Sequence, residues 1–215
     1  MNDISSLYPV GVSPRVADPA VRAALIEAAA HVLAKEGPAA LSTRRLAAEV
    51  GTSTMRIYTH FGSMSDLHAA VRREGFSRFA ATFDTHAIVD DPVASLAAGC
   101  GAYLELAMRT PELYWAMFNH RPPAGDDAGE QLFELLQRRV ADCIDSGRFA
   151  DVTPASGASW AGEVWAALHG VTVLGLSDTV PQEATRIQLR DILLRLAIGF
   201  GDDPRTARRS IASLP

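Results

Sequence analysis

Residues 42–61 read STRRLAAEVGTSTMRIYTHF, and their spacing describes two short helices meeting at a tight turn. Ser42 or Thr43 can cap the first helix and Ser53 the second, because a short hydroxyl accepts from the free N–H groups of a first turn. Gly51 breaks the first helix and Gly62-Ser63 the second. Ala47 lies four residues before Gly51. Where two helices cross closely, the residue near the end of the first must be small. The turn residue takes φ > 0, which glycine adopts at no steric cost. Leu46, Val50, Ile57 and Phe61 then share the inner, apolar side. Thr54, Met55, Arg56, Tyr58, Thr59 and His60 are left for the outside. Hydroxyls, a guanidinium, an imidazole and a thioether on one exposed helix suit base edges, phosphates and thymine methyls in a DNA major groove. Taken alone, the same spacing also fits a helical hairpin within any all-α domain.

Upstream, Asp18-Pro19 is a helix start, with Asp as N-cap and Pro where its missing N–H costs nothing. Val21, Leu25, Ala28, Ala29, Val32 and Leu33 follow at helical spacing, and Gly37-Pro38 ends the run. Downstream, a longer helix runs from Met64 to about residue 84. Residues 1–18 have no period and are rich in Ser, Pro and Gly, which predicts a flexible arm. They carry neither a basic start nor an apolar core of the kind a secretory signal has, so the expected location is the cytoplasm.

Residues 20–84 resemble the TetR family of bacterial transcription regulators. The resemblance rests on VRAALIEAAAHVLAKEG, LSTRRLAAEVGTS and MRIYTHFGSMSDLHAAV, including Tyr58 and His60 two apart, Phe61-Gly62-Ser63, and Leu67 three residues after Met64. It implies a three-helix DNA-binding unit whose second and third helices form the motif, with a fourth helix leading into a ligand-responsive, dimeric body. By position, Thr43 and Arg44 would start the second helix against DNA. Thr54, Met55 and Arg56 would face bases, Tyr58 and His60 would grip phosphates, and Ser53 and Thr59 complete the set. Arg45 reads as solvated surface. Met64 stands where the family usually has a phosphate-anchoring Lys, which removes one expected backbone contact.

The rest of the 215-residue chain also reads as helical, with few β-branched runs of period two. Pro92 and Thr110-Pro111 open helices, and further helices are expected at about 128–146, 155–176 and 183–200. The expected architecture is all-α: an arm (1–18), a helix-turn-helix domain (19–63), a bundle for ligand binding and dimerisation (64–203), and a frayed tail (204–215). Charge follows this division. Residues 1–80 carry nine Lys/Arg against seven Asp/Glu, whereas 81–215 carry eleven against eighteen. An acidic body is suited to standing clear of a polyanion.

Two further patches, MRTPELYWAMF (108–118) and WAALHGVTVLGL (165–176), resemble the C-terminal variety named for its Trp-His-Gly signature, here Trp165, His169 and Gly170. The family implies a pocket for a small hydrophobic effector. Tyr103, Met108, Tyr114, Phe118, Trp165 and His169 are its expected lining, although such a stripe also makes ordinary core. His169 has no second ligand at helical spacing and reads as a satisfied core histidine, so no metal is expected. Nor is a cofactor expected. Cys100 and Cys143 read as buried thiols. The excess apolar residues of the last long helix, Leu193 and Leu196 among them, point to a homodimer interface by family resemblance; burial within one chain is the other reading.

No GxSxG, phosphate-binding loop, dinucleotide fingerprint or metal-ligand spacing occurs. An all-α pocketed enzyme would leave the helix-turn-helix without a use. The expected function is a DNA-operator-binding regulator, a repressor released by its effector. The alternative is a DNA-binding dimer answering to a protein partner or to no effector. No run of residues is apolar enough to span a membrane.

Overall fold

A computed structural model describes residues 18–85, 90–119, 122, 125–150 and 156–212. The expected arm lies outside these residues except for Asp18. The described residues form ten α-helices, with no strand among them. Helix α1 (Pro19–Glu36) begins where Asp18 Oδ1 accepts from Ala20 N at 2.9 Å, and ends at Gly37. A 3-10 turn over Pro38–Ala40, not anticipated above, leads to α2 (Thr43–Val50), α3 (Thr54–Phe61) and α4 (Met64–Thr85). Ser42, not Thr43, caps α2, and Ser53 caps α3. Gly51 takes the left-handed conformation, φ 69°, that the turn requires. Leu25, Leu46, Ile57 and Leu67, one from each of these helices, are at most 1% exposed and form the centre of the small N-terminal head.

The body comprises α5 (Pro92–Arg109), α6 (Pro111–Phe118), α7 (Glu130–Asp145), α8 (Ser156–Leu176), α9 (Gln182–Gly199) and α10 (Pro204–Ala212). Helix α5 is its axle, touching α4 and every other helix of the body. It is apolar around most of its circumference, as a helix surrounded by others must be. A Cβ at Gly99 would sit 2.9 Å from the Phe83 ring, so the glycine inside α5 reflects close packing against α4.

Head and body share an extensive seam. The broadest helix–helix contact in the protein is between α1 and α6. Behind it, Arg72 of α4 is buried, donates to the Met117 carbonyl of α6, and pairs with the buried carboxylate of Asp126.

The tail expectation is corrected over 204–212. Helix α10 packs on α5 and α9, with Ala207, Ser210 and Ile211 buried. Arg148 fastens it to the body. Its guanidinium donates to both Asp202 oxygens at 2.7 Å, to Asp91 Oδ1 at 3.0 Å and to Ser210 Oγ at 2.9 Å. The Ser210 hydroxyl in turn donates to Asp91 Oδ2 at 2.6 Å. Three arginines and a serine in PRTARRSIA look like a solvent-bound end in sequence, and only the distant partners reveal otherwise.

Two outcomes are expected. Arg148→Met leaves the carboxylate of Asp202 buried and unpaired, and should cost about 3 kcal/mol in urea unfolding. Burial pushes the Asp91 carboxyl up, but hydrogen bonds from Ser210 and the Ala94 N–H, together with the Arg148 charge, hold it below its ordinary value. Its contribution to stability is therefore complete above the ordinary carboxylate pKa and is lost as pH falls through the depressed one. Ser210→Ala should move the acid-unfolding midpoint to higher pH, and an unmoved midpoint would contradict this assignment.

Candidate DNA interface and aromatic box

The outer side of α3 is open. Met55 is 73% exposed and Tyr58 49%, two of only four large hydrophobic side chains that stand exposed among the described residues. Thr54, Arg56 and Thr59 are exposed beside them, as is Arg44 on α2; Thr43 is half-buried. Several groups already have local work. The Ser53 hydroxyl accepts from Arg56 N, and Thr59 Oγ1 donates to the Met55 carbonyl at 3.0 Å. His60 is half-buried against Phe61, and its Nδ1 is enclosed without a hydrogen-bond partner. Arg45 donates to Glu36 at 2.7 Å, tying α2 to α1. That pairing accounts for Arg45 as a structural residue and leaves Arg44 as the outward cation of the pair. Met64 is half-buried against the core, and the start of α4 is instead fastened by Ser63 Oγ, which accepts from Asp66 N and donates to Asp66 Oδ2.

In the body, five of the six expected lining residues meet in one cluster of rings. Tyr103 of α5 stands edge-on to Trp165 of α8, centroids 5.9 Å apart, and to Tyr114 of α6 at 6.1 Å. Phe118 contacts His169 at 4.7 Å and Tyr114 at 4.8 Å. Trp165 and His169, one helical turn apart on α8, are parallel within 11°. Met108 lies in the close crossing of α5 with α8 at Gly175. Phe79 of α4 completes the cluster, edge-on to Tyr103 at 4.7 Å. Sequence reasoning missed it, because a phenylalanine among Phe76, Phe79 and Phe83 gives no sign of which ring turns toward α5.

The Tyr114 hydroxyl and His169 Nδ1 lie 2.7 Å apart, a hydrogen bond that joins α6 to α8 and gives the half-buried His169 a partner. Burial lowers the His169 pKa, which favours the neutral ring. Burial also pushes the phenols of Tyr103 and Tyr114 upward, so both remain protonated. Cys100 and Cys143 are buried free thiols, Cys100 pushed up to about 12 by desolvation, and neither is set up for reaction.

Leu193 is corrected as an interface residue. It is 4% exposed and faces into its own protomer, where it lines with Leu196, Phe149 and Phe200 an apolar cavity of about 10 Å³. Leu196 is half-buried at the same place. The apolar residues left outside on this hairpin are Leu174 of α8, 41% exposed, and Ile187 of α9, 60% exposed. A Cβ at Gly162 or Gly170 of α8 would meet nothing within 4 Å, so that side of α8 is also uncovered.

Residues 25–71 match the family described as bacterial regulatory proteins, tetR family, and residues 96–196 match the tetracyclin repressor-like C-terminal domain. The latter is a broader description than the Trp-His-Gly variety. The chain is 30% identical over 195 residues to the uncharacterised HTH-type transcriptional regulator Rv0681 of Mycobacterium tuberculosis, covering 89% of this chain and 86% of that one. A structure of a protein from Rhodococcus sp. RHA1 is 26% identical, with a TM-score of 0.64, covering 87% of this chain and 97% of that one. RolR in complex with resorcinol shares the fold at 18% identity and a TM-score of 0.60, over 91% and 94% of the two chains. With both halves matched and the arrangement of head and body shared, this chain belongs to the TetR family of DNA-binding transcription regulators, which are not enzymes.

Proposed function

We propose that the protein is a homodimeric repressor that leaves its operator when a small, mostly apolar effector enters the aromatic box. The observation that carries the effector reading is the Tyr114–His169 hydrogen bond. Tyr114 lies on α6, α6 makes the broadest contact with α1 of the head, and His169 lies on α8. A molecule that parts these groups therefore acts on the seam to the head. Such a molecule shifts the equilibrium only by its preference for the released form. RolR, which has this fold, has been solved with resorcinol, and that supports a small-molecule site in the body.

The DNA reading is supported by Met55 and Tyr58, large apolar side chains that stand exposed on the outer side of α3. Arg44, Thr54, Met55 and Arg56 would meet bases, and Thr43, Tyr58 and His60 phosphates, with Ser53 and Thr59 at the same surface. Two heads would reach successive major grooves, about 34 Å apart. In footprints of the promoter region of its own gene, Arg44→Ala and Tyr58→Ala should each weaken the protected site, Arg44→Ala by roughly 1–3 kcal/mol where its guanidinium makes a bidentate base contact. Absence of any protected site would overturn the reading.

The dimer is assigned to the outer faces of α8 and α9, through Leu174, Ile187 and the uncovered Gly162–Gly170 side, with Leu196 at the edge. A second reading, a DNA-binding dimer without an effector, is favoured by the direct ring-to-ring contacts of the box. Titration of the operator complex with small aromatics separates the two, since only the first releases DNA. For the dimer, Leu174→Glu combined with Ile187→Glu should give monomers in sedimentation and loss of operator affinity, because charge would be buried unpaired at the contact. A double variant that stays dimeric would place the interface elsewhere.

A further inference from the structure

The Tyr103 hydroxyl is enclosed and has no hydrogen-bond partner, in a residue 1% exposed. Buried polar groups without a partner are costly and few in folded proteins, so each calls for an explanation. The neighbouring polar groups already make bonds of their own. The Tyr114 hydroxyl is bonded to His169 Nδ1, and Thr172 Oγ1 donates to the Leu168 carbonyl at 2.7 Å. The Tyr114 hydroxyl is the nearest polar group to that of Tyr103, and the two phenols interact as a weak hydrogen bond that falls short of full hydrogen-bond geometry. The hydroxyls of Tyr103 and Tyr114 and the ring nitrogen of His169 thus gather among aromatic rings, and the Tyr103 hydroxyl alone lacks a full hydrogen bond.

We propose that the effector is a small neutral phenol, its oxygen accepting from the Tyr103 hydroxyl and its ring lying against Trp165 and Phe118. This rests on the ligand-responsive reading above and gives that site its chemistry. The polar end of the effector is read by Tyr103, not by His169, whose inner nitrogen is already taken.

Each part of the description follows from the site. The ligand atom is an acceptor, because a protonated phenol has one proton to give and Tyr103 has not placed it. It is a hydroxyl rather than a carbonyl, because the Tyr114 oxygen keeps a lone pair beside it that can take a second proton. The ligand is aromatic because rings in this box meet one another at 4.7–6.4 Å, edge-on, tilted or stacked, and a planar ring can replace such contacts in kind. Phe118 and Trp165 are half-buried whereas Phe79, Tyr103 and Tyr114 are fully buried, so the first two are the rings that can part. The ligand is neutral because the box side chains carry no charge to pair with an ion taken out of water.

The test uses the full-length protein and four probes of similar size: phenol, toluene, cyclohexanol and benzoate. Titration calorimetry should rank phenol at least tenfold tighter than toluene or cyclohexanol, with benzoate not bound. Tyr103→Phe keeps the ring and should bring phenol down to the affinity of toluene. The ligand-free variant should melt no lower than the wild type, since a hydroxyl without a partner has been removed. Equal binding of phenol and toluene, preference for benzoate, or a Tyr103→Phe variant that still prefers phenol would each overturn the proposal. So would a ligand-free variant that melts lower, which would show that the hydroxyl is held internally. Operator release, followed on the same samples, separates the two levels. Release by a non-phenolic compound alone sinks the phenol assignment and keeps the ligand-responsive reading. Binding of phenol without release keeps the site and sinks the reading.

Discussion

Arg72 is the side chain on which the joining of head to body depends. It leaves the helix that exits the DNA-binding unit, enters the protein, and spends its guanidinium on the carbonyl end of α6 and on Asp126. Arginine and carboxylate are both nearly removed from water, with side chains 9% and 4% exposed. Taking two charges out of solvent is expensive, and a pair in that position adds little net stability over an apolar one, but losing one partner is severe. What such a pair does well is fix a register. Helix α4 can neither slide nor rotate against α6 without stranding a charge. The missing Cβ of Gly75 allows Met117 to lie against α4 at the same crossing.

From that fixed crossing the arrangement of the remaining parts follows. Helix α6 is only two turns long, yet it meets α1 on one side, α4 and α5 on others, and reaches α8 through Tyr114. It thus touches both the head and α8. A short helix depends on its neighbours for stability, since it cannot sustain its own hydrogen bonds in isolation. The far end of the body is built differently, with Arg148 binding three elements through a satisfied polar network. The box and the seam to the head lie along α6, while the network closes the opposite margin around α10.

Local sequence carried a large part of this. Helix starts at Asp18, Ser42 and Ser53, and the break at Gly51, are decided by a hydroxyl or carboxylate within three residues and by one backbone angle, so they can be read without the fold. The outward side of α3 follows from helical period, and so does the sharing of one face of α8 by Trp165 and His169. The turn at Pro38–Ala40 and the missing tail boundary were less legible. The first lacks a distinct pattern, and the second depends on Arg148, Asp202 and Asp91, which are far from α10 in sequence or outside it.

What the sequence by itself determined, then, is the helical content, the motif and its exposed surface, because those depend on contacts between residues a few positions apart. What only the tertiary structure decided is which member of an apolar run faces which neighbour. Leu193 turned inward while Ile187 stayed outside, Phe79 joined the ring cluster, and Tyr103 ended with its hydroxyl enclosed. A run with apolar residues around most of a helix has no single preferred face, so its orientation is set by the helices that pack against it and not by its own periodicity.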